Sequence, residues 1–175
     1  MTTGQLVSPS ARIGAAFRSP LNLVLVGLFV AALLIRAAAF VRLDYAAWWD
    51  GAGWGYSDAV WIGKALRLAD GDVSALSYRG EGLMFIPVQA LLFKVFDIAL
   101  GFQVWAWFLV VSSALVVPIA AHTVFLATGR LVGAVLTGAF VIFDPVASWF
   151  GLNGWSDGQT MIAVAFSCWM FMLCA

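Results

Sequence analysis

Leu83-Met84-Phe85-Ile86-Pro87-Val88-Gln89-Ala90-Leu91-Leu92-Phe93-Lys94-Val95-Phe96-Asp97-Ile98-Ala99-Leu100 decides the topology of this chain. The run is apolar, yet Pro87, Lys94 and Asp97 interrupt it. If it crosses a bilayer, every later segment changes side. If it lies flat or dips in, residues 42–101 form one continuous outer region. The interruptions favour a partly embedded interfacial helix, with Lys94 and Asp97 three positions apart and able to pair on one helix face.

On either side stand longer apolar stretches: Leu21–Val41, Phe102–Ala121 with Pro118 near its end, Leu131–Trp149 with Asp144-Pro145 near its end, and Gln159–Ala175. A helical crossing takes about 20 residues, so each reads as a span. The last is at the short limit, which favours an N-terminal piece of a larger protein or a chain completed by a partner. Residues 1–20 are polar, and Arg12 and Arg18 assign them to the cytoplasm by the positive-inside rule. A cleavable signal is a second reading, with Ala37-Ala38-Ala39 as its cleavage site. The long leading segment and Arg36 within the apolar run argue against it.

Composition agrees with a membrane protein. Hydrophobic residues make up 63% and charged residues 10% of the chain, with mean hydropathy +0.99. Soluble domains carry roughly 25% charged residues. Zero net charge says nothing of a nucleic-acid partner, and no basic run suggests one. Cys168 and Cys174 have neither a metal spacing nor a disulfide context and read as packing residues. His122 is the one histidine, so the chain holds no His-rich metal site.

With the Leu83–Leu100 run not crossing, the outer region 42–101 holds Asp44, Asp50, Asp58, Asp70, Asp72 and Glu81. The His122–Arg130 turn is cytoplasmic and the loop 150–158, with Asp157, is outside again. Asp58 and Asp157 then share one face of the membrane. Within the outer region, Ser57–Ala69 has a helical rhythm. Trp61, Ile62, Ala65, Leu68 and Ala69 fall on one face, Lys64 and Arg67 opposite. Ser57 is the expected N-cap and Gly71 the expected stop, predicting an amphipathic helix in the interface plane.

The run Tyr56-Ser57-Asp58-Ala59-Val60-Trp61-Ile62-Gly63-Lys64-Ala65-Leu66-Arg67-Leu68-Ala69-Asp70-Gly71-Asp72 resembles the first outer loop of GT-C glycosyltransferases. These include the protein O-mannosyltransferases and the bacterial transferase that adds aminoarabinose to lipid A. The pattern is an acid, an aromatic, then A-x-x-L-x-x-G, matched by Asp58, Trp61, Ala65, Leu68 and Gly71. Where the family often carries Asp-Glu, this chain has Ser57-Asp58. Pro87 to Gly101 resembles the family's second juxtamembrane helix. Phe143-Asp144-Pro145 followed by Leu152-Asn153-Gly154-Trp155-Ser156-Asp157 resembles its segment before the fourth span.

The resemblance implies an all-α polytopic membrane protein. A cytoplasmic segment 1–20 would precede a GT-C-like domain 21–175 with about four transmembrane helices and juxtamembrane helices in the first outer loop. It implies transfer of a sugar from a polyprenyl-phosphate donor to a lipid, glycan or protein acceptor outside the bacterial plasma membrane. Asp58 would be the general base, and Asp157 would orient the acceptor or help bind a divalent metal. Lys64 or Arg79 would face the carrier phosphate, and Trp61 would line the substrate.

Plainer readings stand beside these. Asp58 suits a helix N-terminus, Asp157 suits a solvated loop or cap, and Asp144 suits turn chemistry before Pro145. Asp50, beside Trp48 and Trp49, is an alternative base or a solvated loop residue. Arg36 would contact a carrier phosphate, or else snorkel or pair with a carboxylate. Trp48, Trp49, Trp54, Trp61, Trp149 and Trp155 fit an aromatic belt. The main rival function is a non-catalytic membrane subunit, favoured by the single acid at Ser57-Asp58. A transporter element would need more polar residues in the spans.

Overall fold

The computed structural model describes residues 19–42, 56–76, 86–144 and 156–174. Among the described residues six α-helices carry the fold: α1 Pro20–Arg42, α2 Tyr56–Ala69, α3 Ile86–Val95, α4 Ile98–Thr128, α5 Leu131–Phe143 and α6 Ser156–Cys174. A short 3-10 turn, Val73–Leu76, follows α2, and there is no strand among the described residues. α1 and α4 are long and apolar enough to cross a membrane. α3, α5 and the Thr160–Cys174 part of α6 are shorter apolar helices. Leu23, Val30, Leu34, Val132, Leu136, Phe140 and Phe171 are all exposed. Apolar surface on this scale suits lipid and not water.

α4 is the centre of the molecule, with α1, α3, α5 and α6 all packed on it. Phe40 clusters with Ala106 and Val110, and Ala32 with Ala114 and Val117, so α1 runs antiparallel to α4. Ile142 joins the Ala32 cluster, and a methyl group at Gly138 would run into Leu28, so α5 runs parallel to α1. Trp169, near the end of α6, donates from its indole Nε1 to His122 Nδ1 at 2.9 Å. That bond fastens α6 to the later half of α4. In lipid the hydrophobic effect does not hold such helices together; close packing does, and small residues permit it. Ala32, Ala106, Ala114, Ala121 and Ala134 are all buried at these contacts.

Several boundaries differ from the sequence reading. The Leu83–Leu100 run is not one helix: α3 ends at Val95 and α4 begins at Ile98. Lys94 and Asp97 do not share a helix face. Asp97 is the N-cap of α4, its carboxylate accepting from Leu100 N–H at 2.8 Å. Gly101 makes the corner tight, because a Cβ there would meet the Leu92 carbonyl oxygen at 3.1 Å. α3 has 10 residues, about 15 Å of helix, roughly half of a bilayer's hydrocarbon core.

The expected His122–Arg130 turn shrinks to Gly129–Arg130. Nothing before Gly129 breaks the helix. Gly129 adopts φ 67 and returns its N–H to Phe125, closing α4. Within the span read as Leu131–Trp149, α5 ends at Phe143, and residues 145–149 lie outside the described residues. Asp144 is extended ahead of Pro145, as the proline ring requires of its predecessor. Ser57 lies inside the first turn of α2 and not ahead of it. Cys168 and Cys174 are exposed free thiols and not packing residues, because α6 packs mainly on α4.

Candidate functional site

α2 and α3 pack together at the end of the bundle where α4 begins. Ala65, fully buried, meets Ile86, Phe93 and Phe102, and Ile62, Leu66, Leu68 and Ala69 pack around them. The chain ends α2 with a Schellman motif. Gly71 N–H donates to Leu68 O at 3.0 Å and Asp72 N–H to Arg67 O at 2.9 Å. Gly71 sits at φ 94, a left-handed conformation that a Cβ opposes. Gly71→Val should therefore lower stability by about 1–2 kcal/mol, measured as a shift in the denaturation midpoint of the purified protein. A shift within error would show that the turn relaxes freely.

Beyond the turn, Asp72 is clasped. Its carboxylate accepts from Arg67 Nε at 2.8 Å, from Ser74 N–H at 3.0 Å and from the Ser74 hydroxyl. The Ser74 hydroxyl first, and then Arg67, hold its carboxyl below the usual carboxylate range. That lowering favours the fold above a pH of about 4 and is lost as pH falls through the lowered value. The ion pair is exposed, so the effect is small.

Lys64 does not oppose the apolar face of α2 as a solvated cation. Its residue is half-buried and its Nζ is enclosed by protein. Arg67 is the solvated cation of this helix. Asp58 lies seven residues ahead of Ala65 on α2, about 10 Å along the axis. Asp157 lies in the first turn of α6. Trp61 is on α2, one residue ahead of Ile62. The side chains of Asp58, Trp61 and Asp157 lie outside the described residues, as do Arg79, Asp44, Asp50, Glu81, the N-terminal segment 1–18 and Trp48, Trp49, Trp54, Trp149 and Trp155. Among the described residues no three His, Cys, Asp or Glu side chains gather to hold a metal.

Arg36 departs most from expectation. It neither snorkels nor pairs: it is 1% exposed, and Nε, Nη1 and Nη2 have no hydrogen-bond partner. It lies between Ala32 and Phe40 on α1, level with the Val110–Ala114 stretch of α4. The Ser113 hydroxyl there is buried and donates to its own helix at Val110 O, 3.0 Å away. Pro118 has no N–H to give to the Ala114 carbonyl. An unpaired guanidinium inside a span costs about 3 kcal/mol on insertion scales, so the site is one of demand.

Packing and capping account for the three spaced letters Ala65, Leu68 and Gly71. Ala65 fills a close contact, Leu68 packs beside it and Gly71 supplies the left-handed residue. Sequence reasoning missed the Asp97 cap, although an acid just ahead of an apolar run is an N-cap signal. It also missed the His122–Trp169 bond, which joins residues too distant in sequence to leave a local pattern. Comparison of the chain with protein-family models, with curated proteins and with solved structures finds no match.

Proposed function

We propose that this chain belongs to a membrane glycosyltransferase that moves a sugar from a polyprenyl-phosphate donor to an acceptor outside the cytoplasm. The finer topology goes with it: four crossings by α1, α4, α5 and α6 with their flanking residues, the N-terminus cytoplasmic, and α2 and α3 at the outer interface. One observation carries the reading. The helix bearing Asp58 packs with α3 against the first turns of α4, where a helix long and apolar enough to cross a membrane begins.

That end suits the chemistry. A polyprenyl-phosphate donor keeps its tail in lipid and its sugar at the interface. Asp58 takes the acceptor hydroxyl's proton as the oxygen attacks the anomeric carbon. The bond from that carbon to the phosphate oxygen breaks, and polyprenyl phosphate leaves with the electron pair. Asp157 orients the acceptor, and Lys64 or Arg79 offsets charge developing on the phosphate.

A second reading, a non-catalytic membrane subunit, is favoured by one observation. Ala65, Leu68 and Gly71, which carry much of the resemblance, are accounted for by packing and capping alone. The test uses the full-length protein in liposomes given radiolabelled polyprenyl-phosphate mannose, with cysteines introduced at positions 58 and 157. Transfer of label with release of polyprenyl phosphate, and labelling of both cysteines from the outer face, is the expected result. Labelling from opposite compartments overturns the shared site. Shared labelling with no transfer from this or an arabinose donor leaves the subunit reading.

A further inference from the structure

We propose that Arg36 is the cation of a binding site, on the α1–α4 seam, for the phosphate of a membrane lipid. The proposal stands apart from sugar transfer, since any lipid phosphate satisfies it. Its starting point is the demand already described: a guanidinium 1% exposed whose three nitrogens all lack an acceptor. The described ion pair of the molecule joins Arg67 to Asp72 and leaves Arg36 out.

Depth and surroundings select the ligand. Arg36 lies six residues before the end of α1 at Arg42, about 9 Å inside it. A phosphate attached to a hydrocarbon tail reaches that depth by moving along the helices from the lipid side. A free ion would have to shed its hydration among apolar side chains. The lipid side is close at hand: Ile35, the residue before Arg36, is 42% exposed, and Val111 and Leu115 on α4 are also exposed. These residues form apolar flanks along which a tail would lie. Around Arg36 itself the residues are small, with Ala32, Ser113 and Ala114 buried. Small neighbours let the long side chain swing toward the seam. A guanidinium donates two parallel hydrogen bonds to a phosphate, which an ammonium does not.

The test uses the full-length protein in maltoside micelles, which contain no phosphate. Dioleoyl phosphatidic acid, undecaprenyl phosphate and inorganic phosphate are titrated separately while the melting temperature is followed. Native mass spectrometry counts bound lipid. A ligand that binds only the folded state raises the melting temperature with concentration. The wild type should gain stability from at least one lipid phosphate and not from inorganic phosphate. Arg36→Gln should bind that lipid at least tenfold more weakly and lose the response. Arg36→Lys should fall between them. Without lipid, Arg36→Gln should melt at or above the wild-type temperature, because it removes an unpaired charge, so loss of binding is not confused with loss of fold.

Equal binding by wild type and Arg36→Gln overturns the proposal. So does an equal response to inorganic phosphate, which would make this a free-anion site. Stabilisation only by a co-purified subunit that brings a carboxylate to Arg36 overturns it too. A response to phosphatidic acid but not to undecaprenyl phosphate upholds the site and counts against the sugar-carrier reading.

Discussion

Asp58→Asn in the full-length protein should lower sugar transfer by at least about 100-fold, the lower range for loss of a general base. Membrane insertion, helix content and donor binding should stay at wild-type levels. The substitution keeps the size and a hydrogen-bonding group but cannot accept a proton from the acceptor hydroxyl. The loss should fall on the turnover number and not on the Michaelis constant for the donor. Unchanged turnover removes Asp58 from the chemistry and makes its place in the first turns of α2 a matter of helix electrostatics, since an acid there favours the N-terminal dipole. Circular dichroism separates the two roles, because loss of a helix-terminal charge lowers stability without touching turnover in the surviving fold.

Ala65→Leu should be the more damaging change to the fold. Ala65 is fully buried against Ile86, Phe93 and Phe102. Adding a branched side chain there overpacks the contact between α2, α3 and the first turns of α4, at a cost of about 1–3 kcal/mol. The expected readout is a lower midpoint of unfolding in micelles, together with easier proteolysis between α2 and α3. Ala65→Gly removes only a methyl and should cost less at the contact, though it also loosens the helix by about 1 kcal/mol. A leucine variant as stable as wild type would mean that α2 rests loosely on the bundle. Its influence on the Asp58 region would then have to be sought elsewhere.

The long apolar segments were legible because length and hydropathy follow from the bilayer itself. α1 matches its reading within a residue at each end. The amphipathic helix and its stop at Gly71 were legible from periodicity and from the one residue type that takes a positive φ without strain. Segmentation inside Leu83–Leu100 was harder. Asp97 was read as the partner of a charge three residues back, whereas it caps the helix that starts next to it. Both uses of a carboxylate obey the same local spacing, and only the backbone tells them apart. The end of α4 was misplaced because His122 and Thr128 look polar in sequence. In the structure Thr123 and Thr128 turn their hydroxyls back onto Ile119 O and Val124 O, so the helix keeps them at little cost.

The candidate site was legible only as a pattern of residue types. Lys64 looked solvent-facing by its place on the wheel, yet its Nζ is enclosed by protein. Enclosure of that kind is a property of tertiary packing and leaves no periodic mark. Arg36 was conspicuous in sequence as a charge within a span. Whether it finds a counter-charge depends on which helices surround it, which only the assembled bundle shows.

α4 has 31 residues, about 46 Å of helix against a hydrocarbon core of about 30 Å. Such a rod accommodates its excess by leaning or by projecting beyond the lipid. A lean of about 10° around its midpoint would carry each tip sideways by about 4 Å in opposite directions. Since Phe102 at one tip anchors α2 and α3, and His122 toward the other holds α6, bilayer thickness becomes a variable that this molecule can feel at both surfaces at once.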